Sequence, residues 1–333
     1  MTGRPLPRDA GIRLLLGGRG PAWLSVPAGR TEPIHGLRSD DSYQLISIAG
    51  GWVAQPFPAT DGGCANCAPG PLPVYYLAYG SQVATSIGAA DLTAPSATRG
   101  TLWLVSYRRG ANMRTAAGTA QQVSVTGAAL GPRVRLPAGY VIDQGTRAGL
   151  LLVLEQPGSG PVRYELWDPS TRRVTRSFVN VIAASPAEIA WVPGCTTSCR
   201  VHVLNLPGGR VHEISLPRRS QAYEGAFTTD GRLLAMLVTA RITAAGPAAM
   251  RLMIATVEGG PVTAVPGTTV GSGNGVSLGW QAGSHRLIAD MGLETPGGSE
   301  WQIAVWQPGD AGLSTALTRV PDGSWPVIDQ GPY

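Results

Sequence analysis

Apolar and polar positions alternate with a period of two over most of this chain, the pattern of half-buried β-strands. The stretch Arg200 to Pro217 shows the unit plainly. Val201, Val203, Leu204 and Leu206 precede Pro207-Gly208-Gly209, and Val211, Ile214 and Leu216 follow it. A turn that tolerates positive φ between two alternating runs predicts a β-hairpin. The same phrase recurs at Trp23-Leu24-Ser25-Val26-Pro27-Ala28-Gly29-Arg30-Thr31-Glu32-Pro33-Ile34.

Four such runs can be followed in each repeat. The second run is easiest to track, through Gly51 to Ala54, Leu102 to Val105, Leu150 to Leu154, Ile189 to Trp191, Leu233 to Leu237 and Leu287 to Ala289. Neighbouring copies lie roughly 40–55 residues apart, the period of four-stranded propeller blades. Turn chemistry agrees with this phase at Asp168-Pro169-Ser170-Thr171, Glu258-Gly259-Gly260 and Gln307-Pro308-Gly309-Asp310.

The fold expected is therefore all-β: a seven-bladed β-propeller of four-stranded antiparallel blades, forming one domain over residues 11–330 after an N-terminal tail of residues 1–10. The expected blades run from about 40 to 90, 91 to 137, 139 to 179, 180 to 217, 221 to 267 and 275 to 320. The first blade is composite, combining residues 11–38 with 324–329. Ile12 to Leu16, Trp23 to Val26 and Thr31 to Leu37 supply its three outer runs, and no innermost run precedes them. Trp325-Pro326-Val327-Ile328 is left over at the other end. It is expected to pair inside the N-terminal runs and close the ring, which hides edge strands and couples the repeats.

Three phrases carry a family resemblance: Leu206-Pro207-Gly208-Gly209-Arg210, Val26-Pro27-Ala28-Gly29-Arg30, and Phe227-Thr228-Thr229-Asp230-Gly231-Arg232-Leu233-Leu234-Ala235. They resemble the turn and strand phrases of TolB-like and WD-repeat-like bacterial propellers. Thr229 stands where that pattern has Pro, and no Gly-His or Trp-Asp signature closes each blade. The resemblance implies a propeller and, with it, protein interaction, often in exported or membrane-anchored domains.

Composition fits the same class. Of the 333 residues 43% are hydrophobic, enough for a large core, while 45 Gly and 28 Pro disfavour long helices. The net charge is +5 but only 14% of residues are charged, and every one of the 26 basic residues is Arg. That is a weakly basic surface, not a polyanion-binding one. Nucleic acid would call for basic residues interleaved with stacking aromatics, and here only Tyr107 and Tyr140 lie near the Arg clusters.

The four cysteines form two local pairs, Cys64 with Cys67 and Cys195 with Cys199. Close even pairing favours disulfides in an oxidising, extracytoplasmic compartment. A zinc site made from all four would need pairs from nearly opposite blades to meet, so none is expected. Near the N-terminus the apolar residues Ile12 and Leu14 to Leu16 are interrupted by Arg13 and Arg19. That run is too short for a secretory or membrane-spanning segment. Either the protein is cytoplasmic, or an export segment lies outside this sequence.

Candidate chemistry is sparse. His35, His202, His212 and His285 lack metal-ligand spacing, with His202 and His212 expected to face each other or solvent across their hairpin. No nucleophile elbow, metalloprotease helix, phosphate loop or dinucleotide fingerprint occurs, and no cofactor or metal is expected. The connections expected to be long are Pro56 to Pro73, Arg108 to Ala120, Ala240 to Ala249 and Gly292 to Glu300, all on one face. Variable loops on a rigid scaffold usually carry binding residues. Arg108, Arg109 and Arg114 lie on one of them, with Arg218, Arg219 and Arg241 on other connections of that face. A monomeric binding module for a protein partner is the expected function, with catalytic residues unassigned. The alternative is a propeller hydrolase or lyase acting on a carbohydrate or small ester. It would use channel-facing carboxylates drawn from Asp40, Asp41, Asp143, Glu155, Glu188, Glu224 and Asp290.

Overall fold

The computed structural model describes the chain outside residues 39–40, 58–67, 69, 155–160, 195–198, 241–248, 271–275, 282–283, 296–297 and 329–333. Among the described residues there are strands, turns and bends, and no helix.

The chain opens with β1 (Arg4–Pro5), β2 (Ile12–Arg19), β3 (Ala22–Val26) and β4 (Arg30–Pro33). It continues with β5 (Ser42–Ile48), β6 (Gly51–Pro56), β7 (Leu72–Ala78) and β8 (Thr85–Ala90). Next come β9 (Leu92–Pro95), β10 (Thr101–Ser106), β11 (Thr119–Ser124) and β12 (Val134–Arg135). They are followed by β13 (Tyr140–Thr146), β14 (Gly149–Leu154), β15 (Arg163–Asp168) and β16 (Arg173–Val179). After them lie β17 (Val181–Ala184), β18 (Glu188–Trp191), β19 (Arg200–Asn205) and β20 (Val211–Ser215). The rest are β21 (Ser220–Phe227), β22 (Leu233–Ala240), β23 (Met250–Thr256), β24 (Thr263–Ala264), β25 (Val276–Trp280), β26 (Leu287–Thr295), β27 (Gly298–Trp306), β28 (Ser314–Arg319) and β29 (Ser324–Val327).

Two compact units divide these strands. One comprises Met1–Pro33, Ile182–Ala184 and Glu188–Pro332; the other comprises Ile34–Val181 and Ser185–Ala187. In the second unit, β5 to β8, β9 to β12 and β13 to β16 each form four antiparallel strands in chain order. Its core includes Ile48, Val53, Val74 and Leu102 in one cluster, and Val105, Ala120, Leu150 and Trp167 in another.

In the first unit the same order recurs in β17 to β20, β21 to β24 and β25 to β28. The apolar run of each second strand is buried on both faces, as Leu234, Ala235, Met236 and Leu237 of β22 show. Such runs read as continuous hydrophobics, which is why they were the clearest repeat signal. The predicted hairpin at Arg200 to Pro217 is present, Arg200 opposite Ser215 and Leu204 opposite Val211. Its turn is held by Asn205, whose Oδ1 accepts the Gly208 N–H at 2.9 Å, and Gly209 supplies the positive φ of 64°.

The C-terminal strand pairs where the sequence placed it. β29 runs antiparallel to β2, with Leu16 opposite Pro326 and Gly17 opposite Trp325. Gly18 has φ of +85°, and a Cβ there would lie 2.1 Å from the Gly323 carbonyl oxygen, so no side chain fits. Ile328 joins Leu14, Leu16, Leu24, Ile303 and Val305 in one buried cluster.

Three expectations need correction. Residues 1–10 are more than a tail. β1 adds in parallel to β28, Leu6 is buried, and the Arg4 and Leu6 amides donate to the Leu313 and Thr315 carbonyls. Gly292 to Glu300 is not a long loop, because β26 and β27 stay in register out to Thr295 opposite Gly298. His202 and His212 do not face each other. His202 opposes Glu213 and His212 opposes Val203, a one-residue offset that puts the imidazoles on opposite faces.

Candidate functional site

Of the four connections expected to be long, the one between β10 and β11 is described in full, and it is firmly braced. Asp91, alone between β8 and β9, is buried. Its Oδ1 accepts the Gly70 N–H at 3.1 Å and its Oδ2 the Tyr107 N–H at 2.7 Å. The Gly110 amide donates to the Ala68 carbonyl, and the Ala68 amide to the Ala111 carbonyl. Asn112 turns the chain by accepting the Arg114 amide on Oδ1 at 3.0 Å and the Ala116 amide on its backbone carbonyl. The Gly139 amide reaches across to the Ala116 carbonyl, while Met113 and Ala116 pack on the core beside Tyr140. This frame leaves Arg108, Arg109 and Arg114 exposed together on one loop.

Replacing Asp91 by Ala strands two buried amide donors. An unsatisfied buried donor costs about 1–3 kcal/mol, so the variant is expected to lose about 2–3 kcal/mol in urea unfolding. Asp91→Asn keeps one acceptor oxygen and is expected to lose less. Equal stability of wild type and Asp91→Ala would show that the brace carries no weight.

The remaining predicted residues fall elsewhere. Arg218 and Arg219 are exposed between β20 and β21 in the other unit, Arg219 at φ of +60°. Arg241 lies outside the described residues, as do Cys64, Cys67, Cys195, Asp40 and Glu155. Cys199 is buried at the start of β19. His202 stacks on Trp191 with ring centroids 5.3 Å apart and lies 3.8 Å from Glu213.

The carboxylates split by environment. Asp143 is the extra residue of a β-bulge on β13 between Ile142 and Gln144, and surrounding protein pushes its pKa up to about 6. Glu224 adjoins the equivalent bulge on β21, and desolvation raises it to about 7 against the pull of the Leu278 N–H. Asp290 on β26 is 1% exposed and is also raised to about 7, by burial first and by the nearby Glu224 charge as well. Glu188 is buried on β18. Among the described residues no group of three or more His, Cys, Asp or Glu side chains could hold a metal ion, and no helix is long and apolar enough to cross a membrane.

Sequence reading missed Asp91. A single acid between two runs carries no local signal, since its partners are backbone amides 16 and 21 residues away.

No family model matches the chain, and neither does any curated protein. Solved structures do. A Lactobacillus plantarum protein aligns over 95% of this chain and all of its own, with TM-score 0.51 and 10% identity. A puromycin-hydrolysing peptidase of Mycobacterium tuberculosis aligns over 96% of this chain with TM-score 0.51 and 13% identity, and this chain spans 54% of it. The β-propeller domain of the Trilobed protease from Pyrococcus furiosus aligns over 84% of each chain, with TM-score 0.48 and 11% identity. Other similar structures include TolB from Acinetobacter baumannii, with TM-score 0.38, and the C-terminal WD40 domain of Sif2, with TM-score 0.47; at these identities the likeness is one of fold alone.

Proposed function

We propose that this chain is a non-catalytic binding module, a seven-bladed β-propeller closed by β29 and presenting the loops of one face to a protein partner. The observation that carries the reading is the loop after β10. Its three arginines are exposed while the backbone beneath them is fixed by Asp91, Ala68 and Gly139. A rigid loop loses little entropy on binding, and guanidinium groups pair with carboxylates in a planar fork.

A disulfide from the buried Cys199 would suit an oxidising compartment. In this reading its partner is Cys195, the nearest cysteine in the sequence. Asp143, exposed at the β13 bulge, is the carboxylate on which the hydrolase or lyase alternative would rest, since a general acid must be open to its substrate.

The test is affinity capture from the native extracytoplasmic fraction, comparing wild type with a variant in which Arg108, Arg109 and Arg114 are all Ser. Retained folding is checked by circular dichroism. The triple variant is expected to lose about ten-fold or more of any specifically captured protein, the scale of a few lost charge-assisted hydrogen bonds. Undiminished capture by a folded variant would remove this loop from the interface.

A further inference from the structure

The sheet of β25 to β28 carries a polar seam inside an apolar layer. Gly292 lies opposite Trp301, and Trp301 opposite Thr318, so these three positions share one face. Asp290, two residues before Gly292 on the same strand, shares it too. That face otherwise presents Ile288, Ile303 and Val305, which pack with the β2 leucines and Ile328.

Three polar atoms on this face are buried and have no hydrogen-bond partner: Oδ2 of Asp290, Nε1 of Trp301 and Oγ1 of Thr318. Asp290 and Thr318 are 1% and 5% exposed. Asp290 is anchored from the other side, its Oδ1 accepting the Ser277 N–H at 3.3 Å. The Trp301 indole crosses from β27 onto β26, its ring carbons 3.4 to 3.6 Å from where a Cβ of Gly292 would sit.

Buried polar groups in folded proteins are almost always satisfied, by protein or by internal water. The chemistry of the three atoms selects the occupant. The indole N–H can only donate, the carboxylate oxygen accepts, and the hydroxyl does both. A cation would be repelled by the indole N–H, which needs an acceptor. Water can accept from Trp301, donate to Asp290 and exchange with Thr318.

We propose that this seam is a binding site for structural water, one or more molecules linking Asp290 Oδ2, Trp301 Nε1 and Thr318 Oγ1. Internal waters typically make about three hydrogen bonds, and three orphaned groups on one face supply that number. The water ties β26, β27 and β28 together across their shared face and gives Asp290 a route for proton exchange.

The test is a crystal structure at a resolution that orders internal water, with water relaxation dispersion in solution on wild type and Thr318→Val. Ordered water within hydrogen-bond distance of at least two of the three atoms is expected, as is the loss of at least one long-lived water in the valine variant. A seam in which the three atoms bond only to protein groups would overturn the proposal. If Thr318→Val fails to fold, the wild-type crystal structure decides alone.

Discussion

Asp290→Asn is expected to be more stable than the wild type at pH 8 and nearly equal to it at pH 4. The Asp290 carboxyl is sealed inside the sheet, and its pKa stands at about 7 against an ordinary 3.8. Burial is the larger cause and the Glu224 charge a smaller one, opposed by the Ser277 N–H. The folded state therefore binds this proton more tightly than the unfolded chain. Stability falls as pH rises from about 4 to about 7 and carries the full penalty above that, the sign that linkage requires for a raised acid. At roughly 1.4 kcal/mol for each pH unit between the two pKa values, the limit is about 4 kcal/mol, and relaxation around the charge reduces it to about 2–4 kcal/mol. Glu224, raised to about 7 and half-buried, contributes a slope of the same sign in both proteins, so the variant should keep a pH dependence shallower than that of the wild type. Urea unfolding of both proteins at about pH 4 and pH 8 measures this. A wild type equally stable at the two pH values, or a variant less stable at pH 8, would show that the buried carboxyl is compensated by another group.

That effect shows where sequence reading stops. The fold was legible because its signal is local: apolar runs such as Leu233 to Leu237 recur at a steady spacing and became β22 and its counterparts. Turns were legible for the same reason. Asp168 accepts the Ser170 amide and hydroxyl and the Thr171 hydroxyl, which holds its pKa down to about 2. The misreadings share the opposite property. Gly292 to Glu300 looks like a loop because Pro and Gly interrupt it, yet both strands continue through it as paired neighbours. Arg4 and Pro5 have no strand signal of their own, and the edge of β28 makes them a strand. In the candidate site the arginines were recognisable by type, while the Asp91 brace was not. Asp290 could be named as a carboxylate, but its burial depends on Ile288, Ile303 and Val305 folding over the same face. Residue type is written locally, whereas desolvation is written by the whole sheet.

Removing residues 325–333 is expected to have the largest effect on this chain, because it strips a paired strand from β2. β29 contributes four paired positions, three of which the truncation removes. Pro326 and Ile328 are buried, and Trp325 and Val327 partly so. Fully burying one large apolar side chain is worth about 1.5–3 kcal/mol, so the lost contacts alone amount to about 5 kcal/mol, a large part of a typical domain's net stability. The truncation also bares Leu14 and Leu16 and leaves β2 with an open edge, which invites pairing between molecules. The expected result is a melting temperature lowered by at least about 10 °C with a broader transition and concentration-dependent aggregation. Ile328→Ala separates packing from closure. It keeps the β29 backbone in place and is expected to lose about 2–5 kcal/mol while the transition stays sharp. If closure couples the repeats, the truncated chain loses cooperativity and Ile328→Ala does not. An unchanged melting temperature in the truncated chain would mean that β29 lies on a ring already held together without it.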